Sequence, residues 1–388
     1  MRYLWFHLEQ ILAQYQGAVP LHHFLKNYFK GYPKLGSRDR RGLSDASYAW
    51  YRVGHALKPL EKETQELRLA ALFLCGLKPR AIEASFPVDW DIADSDYRMR
   101  IRFLESQGFV VNLQAIFQYP ISFSDGISAD VWRQSMLRQP RLFLRIRRQH
   151  FKIEALLKDA TIGFEWISSD CLALPNGCSV EKFLQQNTYV IQDASSQETG
   201  LYFTTQSTGE AWWDCCSGAG GKSLMLVDKF PGVRLLATDV RQNILQNLKE
   251  RFELYGIKSP ECKVLDCTDP LAMAHFMKGR QRFDGIICDV PCSGSGTWAR
   301  TPENCFFFHL EQLKDYSDRQ ARILSNAAQY LKPSGSIYYI TCSVFEAENE
   351  QVIHTVLEEG KLQLISMNLM NGIDNGADSL FLAVLKLN

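Results

Sequence analysis

Hydrophobic positions change period near residue 190. Beyond it, short apolar runs alternate with helix-length amphipathic segments: TYVIQD (188–193), EAWWDCC (210–216), VRLLATD (233–239), CKVLD (262–266), FDGIICD (283–289) and GSIYYIT (335–341). Strands spaced by helices predict a mostly parallel sheet covered on both faces. Two runs near the end, LQLIS and SLFLAVLKL, predict a terminal pair of strands. Over 129–189 the pattern is that of a small α+β unit. RLFLRIRR (141–148) alternates, with Leu142, Leu144 and Ile146 on one face and Arg141, Arg145 and Arg147 near or on the other; a helical KIEALLKDA follows. The basic side is expected to face a polyanion or water.

Residues 1–128 lack convincing alternating strands, and TQELRLAALFLCGL (64–77) reads as amphipathic helix. In MRYLWFHLEQILAQYQG, Trp5, Leu8, Leu12 and Tyr15 share a helical face. Glu9 and Gln10 break its apolar part and no A-x-A-like site follows, so a helix is predicted rather than a leader. No stretch reaches the roughly 18 apolar residues of a membrane span. A cytoplasmic, monomeric protein without a membrane partner is the expectation.

Charge and cysteines narrow this picture. Lys+Arg and Asp+Glu both number 43 among 388 residues, so any basic surface is local. KNYFKGYPKLGSRDRRG (26–42) is one: Lys26, Lys30, Lys34, Arg38, Arg40 and Arg41 stand against Asp39, with Tyr28, Phe29 and Tyr32 interleaved. Such a stretch can contact RNA phosphates and bases, or be a solvated face. The 11 cysteines are scattered, which argues against a disulfide framework. Neither Cys262 with Cys267 nor Cys288 with Cys292 has zinc-site spacing, so no metal is expected.

Candidate chemistry gathers at strand ends, where ligands of parallel sheets sit. DCCSGAGGKS (214–223) follows one strand and opens a helix. A phosphate-binding Walker loop fails because Cys216 stands where it needs glycine, and a dinucleotide fingerprint is imperfect at Ser223. An S-adenosylmethionine loop needs an acidic strand end and a small glycine-rich turn; Asp214 and Gly218–Gly221 supply both. Asp239 ends the next strand, suited to the ribose hydroxyls of a nucleoside, and Asp266 follows the third, in reach of an adenine amino group. Each acid alone could be a cap or loop residue, but Asp214, Asp239, Asp266 and Asp289 end four successive strands. In ICDVPCSGSG (287–296), Cys292 follows Asp289 and Pro291. In YITCSVFEAENEQVI (339–353), Cys342 follows its strand at once, and Ser343 with Glu346 has capping-box spacing. The two thiols are expected at neighbouring strand ends, with Cys342 at a helix N-terminus.

These motifs, with QDASSQ (192–197), ATDV, DVPCSGSGTWARTPEN (289–304) and YITCS, resemble in order those of the Fmu/Sun family of RNA cytosine-carbon-5 methyltransferases. Val290, Ser295 and the Cys215–Cys216 pair depart from the usual pattern without touching the chemistry. The resemblance implies an α/β chain in three parts: 1–128 helical and NusB-like, 129–189 a small α+β RRM-like unit, and 190–388 a class I methyltransferase domain with a Rossmann-like sheet. It implies S-adenosylmethionine held by Asp214, Cys215, Cys216, Ser217, Gly218, Ala219, Gly220, Gly221, Lys222, Asp239, Asp266, Asp289 and Pro291. It implies that Cys342 adds to carbon 6 of cytosine and that Cys292 assists breakdown of the adduct, with Asp289 on the base edge. The RNA partner would be ribosomal first and transfer RNA second. A free thiol with pKa about 8.5 is only a few per cent ionised at pH 7. A helix N-terminus supplies about 0.3–1 kcal/mol, less than one pKa unit, so a cation such as Lys222, or proton transfer on binding, is expected to help. A nicotinamide-dependent dehydrogenase, a DNA cytosine methyltransferase and a non-catalytic RNA-binding assembly factor are the competing readings.

Overall fold

A computed structural model describes residues 2–59, 64–78, 92–147 and 150–388. Along the chain run helices α1 (Arg2–Gln14), α2 (Leu21–Gly31) and α3 (Ser37–Val53), strand β1 (Leu57–Pro59), α4 (Thr64–Leu74), α5 (Tyr97–Ser106), β2 (Phe109–Val111) and α6 (Ala129–Ser135). Next come β3 (Leu142–Ile146), α7 (His150–Asp159), β4 (Glu165–Trp166), β5 (Cys171–Leu174) and β6 (Tyr189–Ile191). The rest comprises α8 (Ala194–Glu198), β7 (Ala211–Asp214), α9 (Gly221–Lys229), β8 (Arg234–Asp239), α10 (Gln242–Leu254), β9 (Glu261–Val264), α11 (Pro270–Met277), β10 (Phe283–Asp289), α12 (Pro302–Phe306), α13 (Glu311–Ala328), β11 (Leu331–Thr341), α14 (Glu350–Leu357), β12 (Leu362–Asn371) and β13 (Ser379–Leu387). Among the described residues no helix is long and apolar enough to cross a membrane.

Two compact units emerge. The first gathers Met1–Ile121, Ser128–Gln139 and Thr297–Leu310. Its helices bury most of the predicted faces: Trp5 and Leu8 on α1 with Tyr15 just past its end, Leu12 half-buried, and Leu21, Leu25, Tyr28 and Phe29 on α2. A short antiparallel pair, β1 with β2, is a feature the sequence pattern did not predict. Phe117, Trp132, Trp298 and Phe308 form an aromatic core with ring centroids 5.2–5.8 Å apart. Arg52 is buried and donates to three carbonyls, those of Met136, Arg138 and Ala299. The basic stretch keeps Lys26, Lys30, Lys34, Arg38 and Arg41 exposed. Its aromatics do otherwise: Tyr28 and Phe29 belong to the core, and the Tyr28 hydroxyl lies 2.7 Å from His7 Nδ1. Those two rings are therefore not free to stack on bases.

The second unit comprises Ser122–Ile127, Pro140–Gly296 and Glu311–Asn388. It contains two sheets. The smaller is antiparallel, ordered β4-β5-β3-β6. Here 188–193 departs from expectation: Val190 pairs with Arg145 of β3, so β6 belongs to this sheet and not the parallel one. The basic side of β3 also differs from expectation. Arg145 and Arg147 both close on Asp228, each at 2.7 Å, with side chains no more than 11% exposed. Both are neutralised by this shared ion pair, whereas Arg141 pairs with Glu165 and keeps 31% of its side chain exposed. Arg148 lies outside the described residues.

The larger sheet runs β12-β13-β11-β10-β7-β8-β9. β11, β10, β7, β8 and β9 are mutually parallel, and β13 is antiparallel to both β11 and β12. Alternate residues enter cores on opposite faces: Trp213, Ile286 and Tyr339 one side, Trp212, Ile287 and Tyr338 the other. Burial on both faces explains why these strands read as unbroken apolar runs. Strand order reverses between β7 and β10, the point at which doubly wound sheets open a crevice beyond their carboxyl ends. Asp214 and Asp289 end the two strands flanking it.

Candidate active site

The loop after β7 is shaped by glycines at positive φ, +51° at Gly218 and +79° at Gly220. At Gly218 a side chain would meet nothing within 4 Å, whereas Gly220 lies so close to Leu248 that a Cβ would collide with it. Gly220 therefore lets α9 pack, and Gly218 leaves the loop open. Asp214 is fully buried; its Oδ2 accepts from Ser223 Oγ at 2.6 Å, and its Oδ1 has no protein partner. Burial, reinforced by the neighbouring Asp289, pushes its carboxyl up to about 7 against the opposing Ser223 bond. Ser217 Oγ is likewise buried without a partner. Cys215 departs from its expected place, because its side chain packs in the core with its sulfur 3.5 Å from Cys288 Sγ. Only its backbone is left to meet a ligand. Cys216 is half-buried and Ala219 exposed.

Asp239 accepts from Gly218 N at 3.1 Å and from Arg241 N, Nε and Nη2 at 2.9–3.1 Å. Burial works to raise its pKa, but these donors outweigh it and hold the carboxyl below its ordinary value. Arg241 thus occupies the carboxylate that the sequence assigns to a ribose. Its side chain is 58% exposed, so it is free to swing away. Asp266 is exposed and closes a turn onto Thr268 N and Oγ1, at 2.8 and 2.7 Å.

Lys222 is buried beside this loop. Among the described residues its polar partners are Ser196 Oγ at 3.0 Å and Asp289 Oδ2 at 3.3 Å. Where the sequence expectation has Lys222 aid the Cys342 thiol, its contacts here are to Asp289 and Ser196.

The two thiols do meet. β10 and β11 pair in parallel with Asp289 opposite Ile340, and the turns beyond bring Cys292 Sγ to 3.2 Å from Cys342 Sγ. Gly296 N donates to Cys342 O at 2.9 Å, and a Cβ on Gly296 would run into the Ser379 carbonyl. Cys292 is pushed well above the usual thiol range by its bond to Cys342, by burial and by the nearby Glu348. The expected helix N-terminus at Cys342 is absent. A short 3₁₀ turn spans Glu346–Glu348, α14 starts only at Glu350, and Ser343 Oγ bonds Glu348 rather than forming a capping box. Sequence reasoning passed over Glu348, Gln320, Ser196 and Arg241. A signal existed for the first: ENE (348–350) places three polar residues where a buried helix begins.

Comparison with known proteins assigns this architecture. The family described as 16S rRNA methyltransferase RsmB/F matches residues 202–385. The chain is 29% identical over 227 residues to the ribosomal RNA small subunit methyltransferase B of Klebsiella pneumoniae, covering 57% of this chain and 51% of that protein. Its counterpart in Enterobacter sp. is 29% identical over 275 residues, covering 69% and 60%.

Over residues 202–385 the chain is similar to the RsmB/F methyltransferases.

Its alignments with these two members span half to three-fifths of their length. Solved structures share the fold of this chain. PH0851 superposes with TM-score 0.68 at 17% identity, over 95% of this chain and 94% of that one. NSun6 from Pyrococcus horikoshii with SFG superposes with TM-score 0.54 at 14% identity, over 64% and 91%.

Proposed function

We propose that the chain transfers a methyl group from S-adenosylmethionine to carbon 5 of a cytosine in RNA, through an adduct between Cys342 and carbon 6. The observation that carries this reading is the 3.2 Å approach of Cys292 and Cys342 beside Asp289 and the glycine loop. The relatives named as ribosomal RNA methyltransferases support ribosomal RNA as the substrate.

The residues present fit the cofactor. Asp214 Oδ1 and Ser217 Oγ are buried and unpartnered beside an open Gly218, as a loop awaiting a ligand's amino-acid end would be. Asp239 is suited to a ribose diol once Arg241 moves, and Asp266 to an adenine amino group. The likeness to a protein solved with SFG, an S-adenosylmethionine analogue, supports the same choice. When bound, S-adenosylmethionine supplies an electrophilic methyl group.

The protein's own groups prepare the base. Cys342 Sγ, as thiolate, forms a bond to carbon 6; the electron pair of the 5,6 double bond moves onto carbon 5 and the ring nitrogen side. The ring nitrogen takes up a proton that it shares with Asp289, and Lys222, 3.3 Å away, orients that carboxyl. Covalent addition turns an unreactive carbon into a nucleophile. Cys292, whose thiol is pushed up by burial and by its neighbours, lies 3.2 Å from Cys342 and is placed to act on that sulfur. After transfer, loss of the carbon 5 proton restores the double bond and expels Cys342, with Cys292 assisting that breakdown. The base must be out of its stack to meet both sulfurs, which suits single-stranded or opened RNA.

The test is methyl transfer from labelled S-adenosylmethionine to unmodified ribosomal RNA, followed by nucleoside mass spectrometry. 5-Methylcytidine is the expected product; label on another nucleoside, or none, overturns the reading.

A further inference from the structure

We propose that Glu348 is the positioning residue of the two-thiol site, one buried carboxylate that ties the Cys292 turn to the Cys342 turn. The inference rests on the function proposed above.

Glu348 is wholly buried. Its Oε1 accepts from Ser293 N at 2.8 Å and Gln320 Nε2 at 3.0 Å. Its Oε2 accepts from Ser293 Oγ and Ser343 Oγ, each at 2.5 Å. Ser293 follows Cys292 and Ser343 follows Cys342, so a single side chain grips the residue next to each thiol. The hydroxyls already accept elsewhere, Ser293 Oγ from Ser295 N and Ser343 Oγ from Phe345 N. Their protons are thus free for Glu348. Four donors converging on one group match a carboxylate, which accepts only.

Gln320 carries the tie further. Its Nε2 also donates to the Pro291 carbonyl at 2.9 Å, immediately before Cys292. The Cys292 turn is therefore held on both sides, Pro291 and Ser293, by one connected pair of side chains.

A charge is a costly way to join two turns. Burying a carboxylate costs several kcal/mol unless its bonds repay it, and neutral groups can join loops without that cost. What the charge adds is a field. It stands near Cys292 and works to keep that thiol protonated. The ionisable groups facing this pocket are Cys292 beyond β10, Cys342 beyond β11, Tyr339 on β11, and Tyr316 with Arg319 on α13. Of these, Arg319 alone is basic.

The test reads the thiols directly, using the full chain without RNA. Iodoacetamide labelling of Cys292 and Cys342 is followed by peptide mass spectrometry from pH 6 to 10, and diamide-driven Cys292–Cys342 cross-linking is timed at pH 7.5. Glu348→Gln keeps the shape and removes the charge. Its Cys292 labelling midpoint is expected to fall by about one pH unit. Ser343→Ala keeps the charge and cuts one tie; cross-linking is expected to slow by about tenfold or more. Unchanged labelling in Glu348→Gln together with unchanged cross-linking in Ser343→Ala overturns the proposal. Melting curves run alongside, and if Glu348→Gln does not fold, Ser343→Ala cross-linking decides alone. Methyl transfer by the unaltered protein is measured separately; its absence would defeat the methyltransferase reading while these thiol readouts still judge Glu348.

Discussion

Lys222 Nζ stands 3.3 Å from Asp289 Oδ2 and 3.0 Å from Ser196 Oγ. The lysine that opens the cofactor-loop helix is thus bonded to the acid that ends the neighbouring strand. In the proposed mechanism this pairing assigns aid to the Cys342 thiol to the second cysteine and not to Lys222. It also makes Asp289 a shared group, with one oxygen committed to Lys222 and the side chain still 34% exposed toward a base.

Lys222→Met is therefore expected to leave the pH profile of Cys342 alkylation in place. Methyl transfer is expected to fall by about 10²-fold through loss of Asp289 orientation. Alkylation mapped by mass spectrometry and single-turnover rates check the two halves. A shifted Cys342 profile would return the activating role to Lys222.

Cys342→Ala is expected to reduce transfer by at least about three orders of magnitude, because it removes the covalent route rather than an aid to it. Cofactor affinity by calorimetry should stay within about twofold of the parent. Appreciable turnover in this variant would exclude Cys342 as nucleophile.

Asp214 gives a pH signature. Its carboxyl is raised from an ordinary value near 3.8 to about 7 by burial. A raised acid favours the folded state while protonated, so this contribution is full below pH 4 and is lost as pH rises through about 7. The span is roughly 4 kcal/mol at most. Melting of the free protein should therefore drop between about pH 4 and 7, and Asp214→Asn should flatten that drop.

Asp228→Ala is expected to destabilise the fold by about 3–5 kcal/mol, since it strands Arg145 and Arg147 without their shared carboxylate. Urea unfolding measures it. A loss under 1 kcal/mol would mean that the arginines find water.

Much of the site was legible because its signals are local. A strand that ends in Asp and turns on glycine announces itself within ten residues, as at 210–221 and 283–296. The failures were non-local. Arg145 and Arg147 read as an outward basic face because nothing nearby in sequence reveals Asp228, 81 residues beyond Arg147. TYVIQD looked like a strand of the parallel sheet, yet it pairs with β3; an apolar run does not name its partner. Ser343 and Glu346 mimicked a capping box, and the serine proton went instead to Glu348. Glu348 itself binds Ser293, 55 residues away, and Gln320, 28 away, a network no local pattern encodes.

The account turns on the two sulfurs having different tasks, and the Cys292→Ala variant tests that most directly. The variant is incubated with S-adenosylmethionine and unmodified ribosomal RNA, and the products are resolved on a denaturing gel. The account predicts an RNA–protein adduct that survives denaturation and disappears in Cys292→Ala/Cys342→Ala. Normal turnover with no adduct would contradict it.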